Sequence, residues 1–77
     1  MDTTTAPQTL GEHIRAHRTH LGLSQHDLSM RTGIHQGSLS FYEADKATPT
    51  LRSLALLRDG LDWDAADVDL AVELSAA

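Results

Sequence analysis

The segment from Ser24 to Glu43 constrains the fold most, because it must start and stop two helices in very little chain. Ser24 is a hydroxyl residue placed to cap a helix, with Asp27 at the third helical position and Leu28 turned inward. Gly33 stands where a helix stops, which leaves that helix about two turns. Ile34 follows as an apolar plug. His35 or Gln36 then opens a further helix that carries Leu39 and Tyr42 inward and ends near Glu43. With a helix before them, these two make a tight three-helix cluster.

That preceding helix is expected to begin near Thr9, with Glu12 completing a capping box and Leu10, Ile14 and Leu21 recurring at helical spacing until Gly22 ends it. A fourth helix is expected to open at Pro49 after a capping Thr48. Leu51, Leu54, Ala55 and Arg58 mark its spacing, with Leu57 and Leu61 nearby. Beyond Gly60 the pattern is open. Asp62 or Asp64 can cap a fifth helix through Ala65, Ala66, Leu70 and Leu74, which the alanines and the acidic start favour. Val68, Leu70, Val72 and Leu74 also alternate with Asp69, Ala71 and Glu73, as an intermolecular strand would. The expected architecture is all-α, a compact bundle of four to five short helices.

At 77 residues the chain is one domain at most, with a thin stability margin that a partner subunit would widen. Phe41, Tyr42 and Trp63 are its only aromatics, so Leu, Ile, Val and Ala must build the core. Residues 1–8, Thr-rich and without an apolar run, read as a disordered arm and not as a signal peptide or membrane anchor. Residues 9–61 hold the helical domain and 62–77 an acidic C-terminal segment.

Cysteine is absent, which removes disulfides, thiol catalysis and cysteine-ligated zinc and fits a cytoplasmic location. A net charge of −5, taken as an average, argues against nucleic acid. The average hides a division. Up to Arg58 six basic residues meet five acidic ones and all five histidines; from Asp59 onward there are six acidic residues and no basic one. No nucleophile elbow or phosphate-binding glycine loop is present, so neither an enzyme nor a small-molecule substrate is expected. His13, His17 and His20 share a helical face at a spacing able to chelate zinc or nickel. With no cysteine or nearby carboxylate arrangement to complete a site, they read as a solvated or partly buried face, and no metal or cofactor is expected.

Two short helices across a glycine turn describe a helix-turn-helix, whose second helix presents its N-terminal side chains to the DNA major groove. The run Leu21-Gly22-Leu23-Ser24-Gln25, then Leu28, Thr32-Gly33-Ile34, Glu43 and Pro49, resembles the phage-repressor or Xre type of helix-turn-helix, with a lambda-repressor-like fold. The resemblance covers about Leu10 to Leu61. It implies that Gln25 bonds a phosphate and steadies a neighbouring glutamine, and that Gln36 reads adenine through paired amide contacts. It places Gly37 and Ser40 toward base edges, Phe41 either near a thymine methyl or packed on the fourth helix, Ser38 on a phosphate, and Lys46 with Thr48 in a loop facing the DNA backbone. Arg18 and Glu43 match a structural ion pair of that family. Two positions depart from it. Ala44-Asp45 stands where Asn or Arg followed by Gly is usual, bringing negative charge beside a phosphate, and His17 replaces an apolar residue.

The function expected is a homodimeric transcriptional regulator of double-stranded DNA, a Cro-like repressor, a restriction-modification controller or an antitoxin. Val68, Leu70, Val72 and Leu74 are expected to form the dimer contact, with Trp63 a core plug or dimer anchor. The alternative is a protein-interaction module whose acidic tail binds a basic partner.

Overall fold

Five side chains, those of Thr9, Ser24, His35, Thr50 and Asp64, each accept a backbone N–H from the turn that follows. They open the five helices of the computed structural model, which describes residues 6–76. These are α1 (Leu10–His20), α2 (Gln25–Thr32), α3 (Gln36–Glu43), α4 (Leu51–Gly60) and α5 (Ala65–Ala76). Among the described residues there is no strand, and no helix is long and apolar enough to cross a membrane. Of the arm expected over residues 1–8, residues 1–5 lie outside the described residues.

Several boundaries differ from those read in the sequence. Thr50, not Thr48, caps α4, because its Oγ1 accepts the Ser53 N–H at 3.1 Å; Pro49 lies buried just before the helix and does not open it. Asp64, not Asp62, caps α5. Its Oδ1 accepts the Asp67 N–H at 2.8 Å while Asp67 Oδ2 accepts the Asp64 N–H at 3.1 Å, and this reciprocal pair settles the open C-terminal pattern as a helix. At α1, Glu12 reaches back to the Gln8 N–H at 2.8 Å and not to that of Thr9.

Three helices end alike, with the residue after the C-cap in the left-handed region: Gly22 after Leu21, Asp45 after Ala44 and Asp62 after Leu61, at φ 72°, 58° and 55°. After α3 the Lys46 N–H reaches the Phe41 carbonyl at 2.9 Å and the Asp45 N–H the Tyr42 carbonyl at 3.1 Å, the paired bonds of a Schellman ending. Aspartate tolerates this conformation better than most residues, though less well than glycine.

The core is one cluster drawn from all five helices and their connections: Leu10 and Ile14, Leu28, Ile34 and Leu39, Leu57 and Leu61, then Trp63 and Ala71. α3 packs on α1 and α2, α4 on α2, and α5 on α1. Leu51, expected on the inner stripe of α4, is instead 83% exposed, since Leu57 and Leu61 set the buried face. Leu21 follows α1 as its C-cap and stays outside the core, where His13, 1% exposed, takes up the interior space. His13 stacks on Trp63 with ring centroids 4.7 Å apart. Burial holds the His13 pKa below its ordinary value, against a smaller opposing effect of its hydrogen bond to the Asp67 carbonyl.

Candidate nucleic-acid interface

The α2–α3 unit is held in shape by short-range bonds. Ser24 and Asp27 cap α2 reciprocally, and the bonds from Ser24 hold the Asp27 carboxyl below its ordinary pKa. Gly33 turns the chain at φ 76°, a conformation that strains residues with a Cβ. Around it Thr32 Oγ1 donates to the Leu28 carbonyl at 2.8 Å and accepts the Ile34 N–H at 3.1 Å. Ser29 Oγ donates to the Ile34 carbonyl at 2.6 Å. The turn is thus tied at each end, and Ile34 is driven into the core. Ser29 and the Thr32 hydroxyl were not singled out in the sequence; hydroxyl residues flanking the turn glycine are the signal that points to them.

A second set of bonds fixes α3 against its neighbours. Arg18 on α1 grips Glu43 at the end of α3 through Nε at 2.7 Å and a terminal nitrogen at 2.9 Å, and its other terminal nitrogen donates to the Leu23 carbonyl at 2.8 Å. This is the expected ion pair, and it is largely desolvated. The Glu43 bond raises the Arg18 pKa further, so the guanidinium stays charged. The Gln25 amide donates to the same carboxylate at 3.3 Å, so Glu43 joins α1, α2 and α3 at one point. Gln25 is half-buried. Among the described residues no hydrogen bond joins it to Gln36; the Glu43 carboxylate steadies it instead.

The N-terminal face of α3 is left open. Gln36, Gly37, Ser40 and Phe41 are exposed and Ser38 is half-buried. Phe41 is 55% exposed and stands outside the core. His35, one of the two residues expected to open this helix, stands beside Gln36 as the N-cap, its Nδ1 accepting the Gly37 N–H at 3.1 Å. Lys46 and Thr48 are exposed in the loop after α3. Asp45, whose charge was expected beside a phosphate, places Oδ1 2.9 Å from the Gly11 N–H at the start of α1. Its negative charge is therefore engaged with the positive end of a helix of its own chain.

At the C-terminal end Trp63 is 7% exposed and lies against His13, while Val68, Leu70 and Leu74 are half-buried. Val72 alone among the apolar residues singled out there is well exposed, at 52%. Leu51, Leu54, Ala55, Val68 and Val72 line a shallow groove between α4 and α5. Asp67 corrects the expectation that no carboxylate stands near the α1 histidines: its Oδ1 is 3.3 Å from His17 Nε2, whereas His20 is exposed and apart from this cluster.

The family model described as helix-turn-helix matches residues 14–68, which is more than half of the chain and reaches past the expected Leu61 into α5. Nothing among curated proteins or solved structures matches the chain. Five helices, an open α3 face anchored by Arg18 and Glu43, and this match agree: the chain belongs to the helix-turn-helix family of DNA-binding transcriptional regulators of the phage-repressor, or Xre, type.

Proposed function

We propose that the protein acts as a homodimeric repressor that sets two copies of α3 in successive major grooves of a pseudo-palindromic operator, as Cro-like proteins, restriction-modification controllers and antitoxins do. The observation that carries this reading is the exposed pair of Gln36 and Ser40 on a helix whose far end is bolted by the Arg18–Glu43 pair. Rigid support of that kind keeps an amide within the narrow tolerance of bidentate adenine recognition. Gly37 contributes no side chain, so Gln36 and Ser40 carry most of the direct readout, with Phe41 against a thymine methyl. Gln25, Ser38, Lys46 and Thr48 serve the phosphates.

Selection of bound duplexes from a random pool is expected to enrich an inverted repeat with half-sites about one helical turn apart. On that site Gln36→Ala should cost roughly 1–3 kcal/mol per half-site, and far less on random DNA. Equal losses on both would remove Gln36 from base reading. A pool with no enrichment would instead favour a protein-interaction module acting through the acidic segment.

We assign the dimer contact to Trp63, Val68, Leu70, Val72 and Leu74; Val68 and Val72 line the groove between α4 and α5 with Leu51, whereas Leu74 lies beside Thr9 and Leu10. Trp63 supports this face from within. Val72→Asp is expected to give a folded monomer by sedimentation, since the site is half-open to water already. A dimer unchanged by that substitution would place the two-fold contact elsewhere. Deletion of everything after Leu61 is a poorer test, because it removes Trp63 and Ala71 from the core.

A further inference from the structure

α1 and α5 meet at a cluster of side chains that DNA recognition leaves unused. His13 and His17 lie one turn apart on α1, and Asp67 stands in the first turn of α5. One nitrogen of each imidazole and one carboxylate oxygen lie within 4.8 Å of one another. His17 Nδ1 is 3.2 Å from the His13 carbonyl oxygen, so that nitrogen carries a proton and donates it. In the neutral ring, Nε2 then turns its lone pair toward Asp67 Oδ1, 3.3 Å away. Two acceptors at that separation need a cation between them, either a proton or a metal ion.

The surroundings resemble the support that orients metal ligands. A ligating imidazole commonly donates its far nitrogen to a backbone carbonyl, as His17 does here, and ligating carboxylates carry a second hydrogen bond. Asp67 Oδ2 has one, from the Asp64 N–H, which leaves Oδ1 directed at the histidines. His13 is fixed by its stack on Trp63, with Nε2 3.0 Å from the Asp67 carbonyl oxygen and Nδ1 buried without a hydrogen-bond partner among the described residues.

We propose that His13, His17 and Asp67 bind a divalent transition-metal ion of the zinc type, which clasps α5 onto α1. Two imidazoles and a carboxylate suit zinc or its neighbours; magnesium and calcium prefer all-oxygen sites, and copper(I) prefers sulfur. Zinc–ligand bonds of about 2.0–2.1 Å in a tetrahedron put ligand atoms roughly 3.3 Å apart, which the His17–Asp67 edge already meets. The longer edges close as the partly exposed His17 and Asp67 side chains move toward His13, which its stack on Trp63 holds in place. On binding, His13 Nε2 gives up its bond to the Asp67 carbonyl for the metal, and the ring proton resides on Nδ1. His17 and Asp67 are each more than a quarter exposed, which opens a path for the ion and leaves the fourth position to water.

Trp63, the only tryptophan, stacks on His13 and reports on the site. Untagged full-length protein titrated with cobalt(II) chloride should show saturable, equimolar quenching of Trp63 fluorescence, reversed by zinc. Zinc at a hundredfold excess over its Kd should raise the unfolding midpoint by roughly 10–20 °C. Asp67→Asn and His17→Gln are each expected to weaken binding at least tenfold, and His20→Ala to leave it unchanged. The proposal fails if quenching does not saturate below millimolar metal, or if Asp67→Asn binds as tightly as the unaltered chain, which would mean chelation by the histidine pair alone. Should the variants not fold, the visible spectrum of the cobalt-loaded original chain decides. Intense tetrahedral bands support the site, and weak octahedral bands overturn it.

Discussion

Arg18→Ala is expected to lower the unfolding free energy by roughly 3–5 kcal/mol, the cost of breaking a desolvated ion pair by removing one partner. The side chains of Arg18 and Glu43 are only 12% and 5% exposed, so water would replace the lost guanidinium incompletely. Glu43 would keep a single weak bond, from Gln25 at 3.3 Å, and the Leu23 carbonyl would lose its donor as well. A chain of this length holds on the order of 5–10 kcal/mol in all, so the variant should be partly unfolded near body temperature. Urea denaturation followed by circular dichroism measures the loss. Replacing both partners with apolar residues of similar volume, Arg18→Met with Glu43→Leu, should recover most of the stability, because no buried charge is then stranded. A loss below about 1 kcal/mol for Arg18→Ala would mean that the pair behaves like a solvated surface bridge. DNA binding by the double variant should still be weakened, since Gln25 loses the carboxylate that holds it.

Gly11→Ala is expected to be the second most damaging small substitution, although alanine is the better helix former by about 1 kcal/mol. A Cβ at this position would lie 2.5 Å from the Glu43 carbonyl oxygen, 2.6 Å from that of Tyr42 and 2.8 Å from Asp45 Oδ1. Two of these three are backbone atoms that cannot swing aside. The C-terminal end of α3 must therefore withdraw from α1, which also stretches the Gly11–Asp45 bond and the Arg18–Glu43 pair. Overpacking of this kind costs roughly 1–3 kcal/mol net of relaxation, and we expect the upper end here. Because the displaced element is the recognition helix, operator affinity should fall further than the folded fraction alone requires. Thermal unfolding and operator titration on the same sample separate the two effects. An unfolding midpoint unchanged or raised would show that α1 and α3 part without cost.

Much of the helical frame was legible in the sequence because caps and stops are local. Ser24 and Asp27 are three residues apart, Thr9 and Glu12 likewise, and Gly33 ends α2 through its own backbone conformation; no distant residue is needed to interpret them. Where a local reading slipped, a competing local signal was the cause. Pro49 suits a helix start, yet Thr50 had the hydroxyl that reached Ser53. The alternating apolar residues of the last segment suited a strand until the reciprocal Asp64 and Asp67 bonds fixed its first turn as helical.

Local signals along the chain were thus enough for four helix-forming segments, their order and the glycine turn before α3; the last segment stayed open between helix and strand, and the pairing of Arg18 with Glu43 came from the family resemblance. Tertiary structure alone decided how surfaces were assigned. It buried His13 against Trp63, turned Asp45 toward the start of α1, left Leu51 in water and brought Asp67 to the α1 histidines. The reason is geometric. Helical periodicity tells which residues share a face, but the angle and closeness at which two helices cross decide what each face meets. At Gly11 that closeness comes from a missing side chain, whose effect appears only when α3 lies against it.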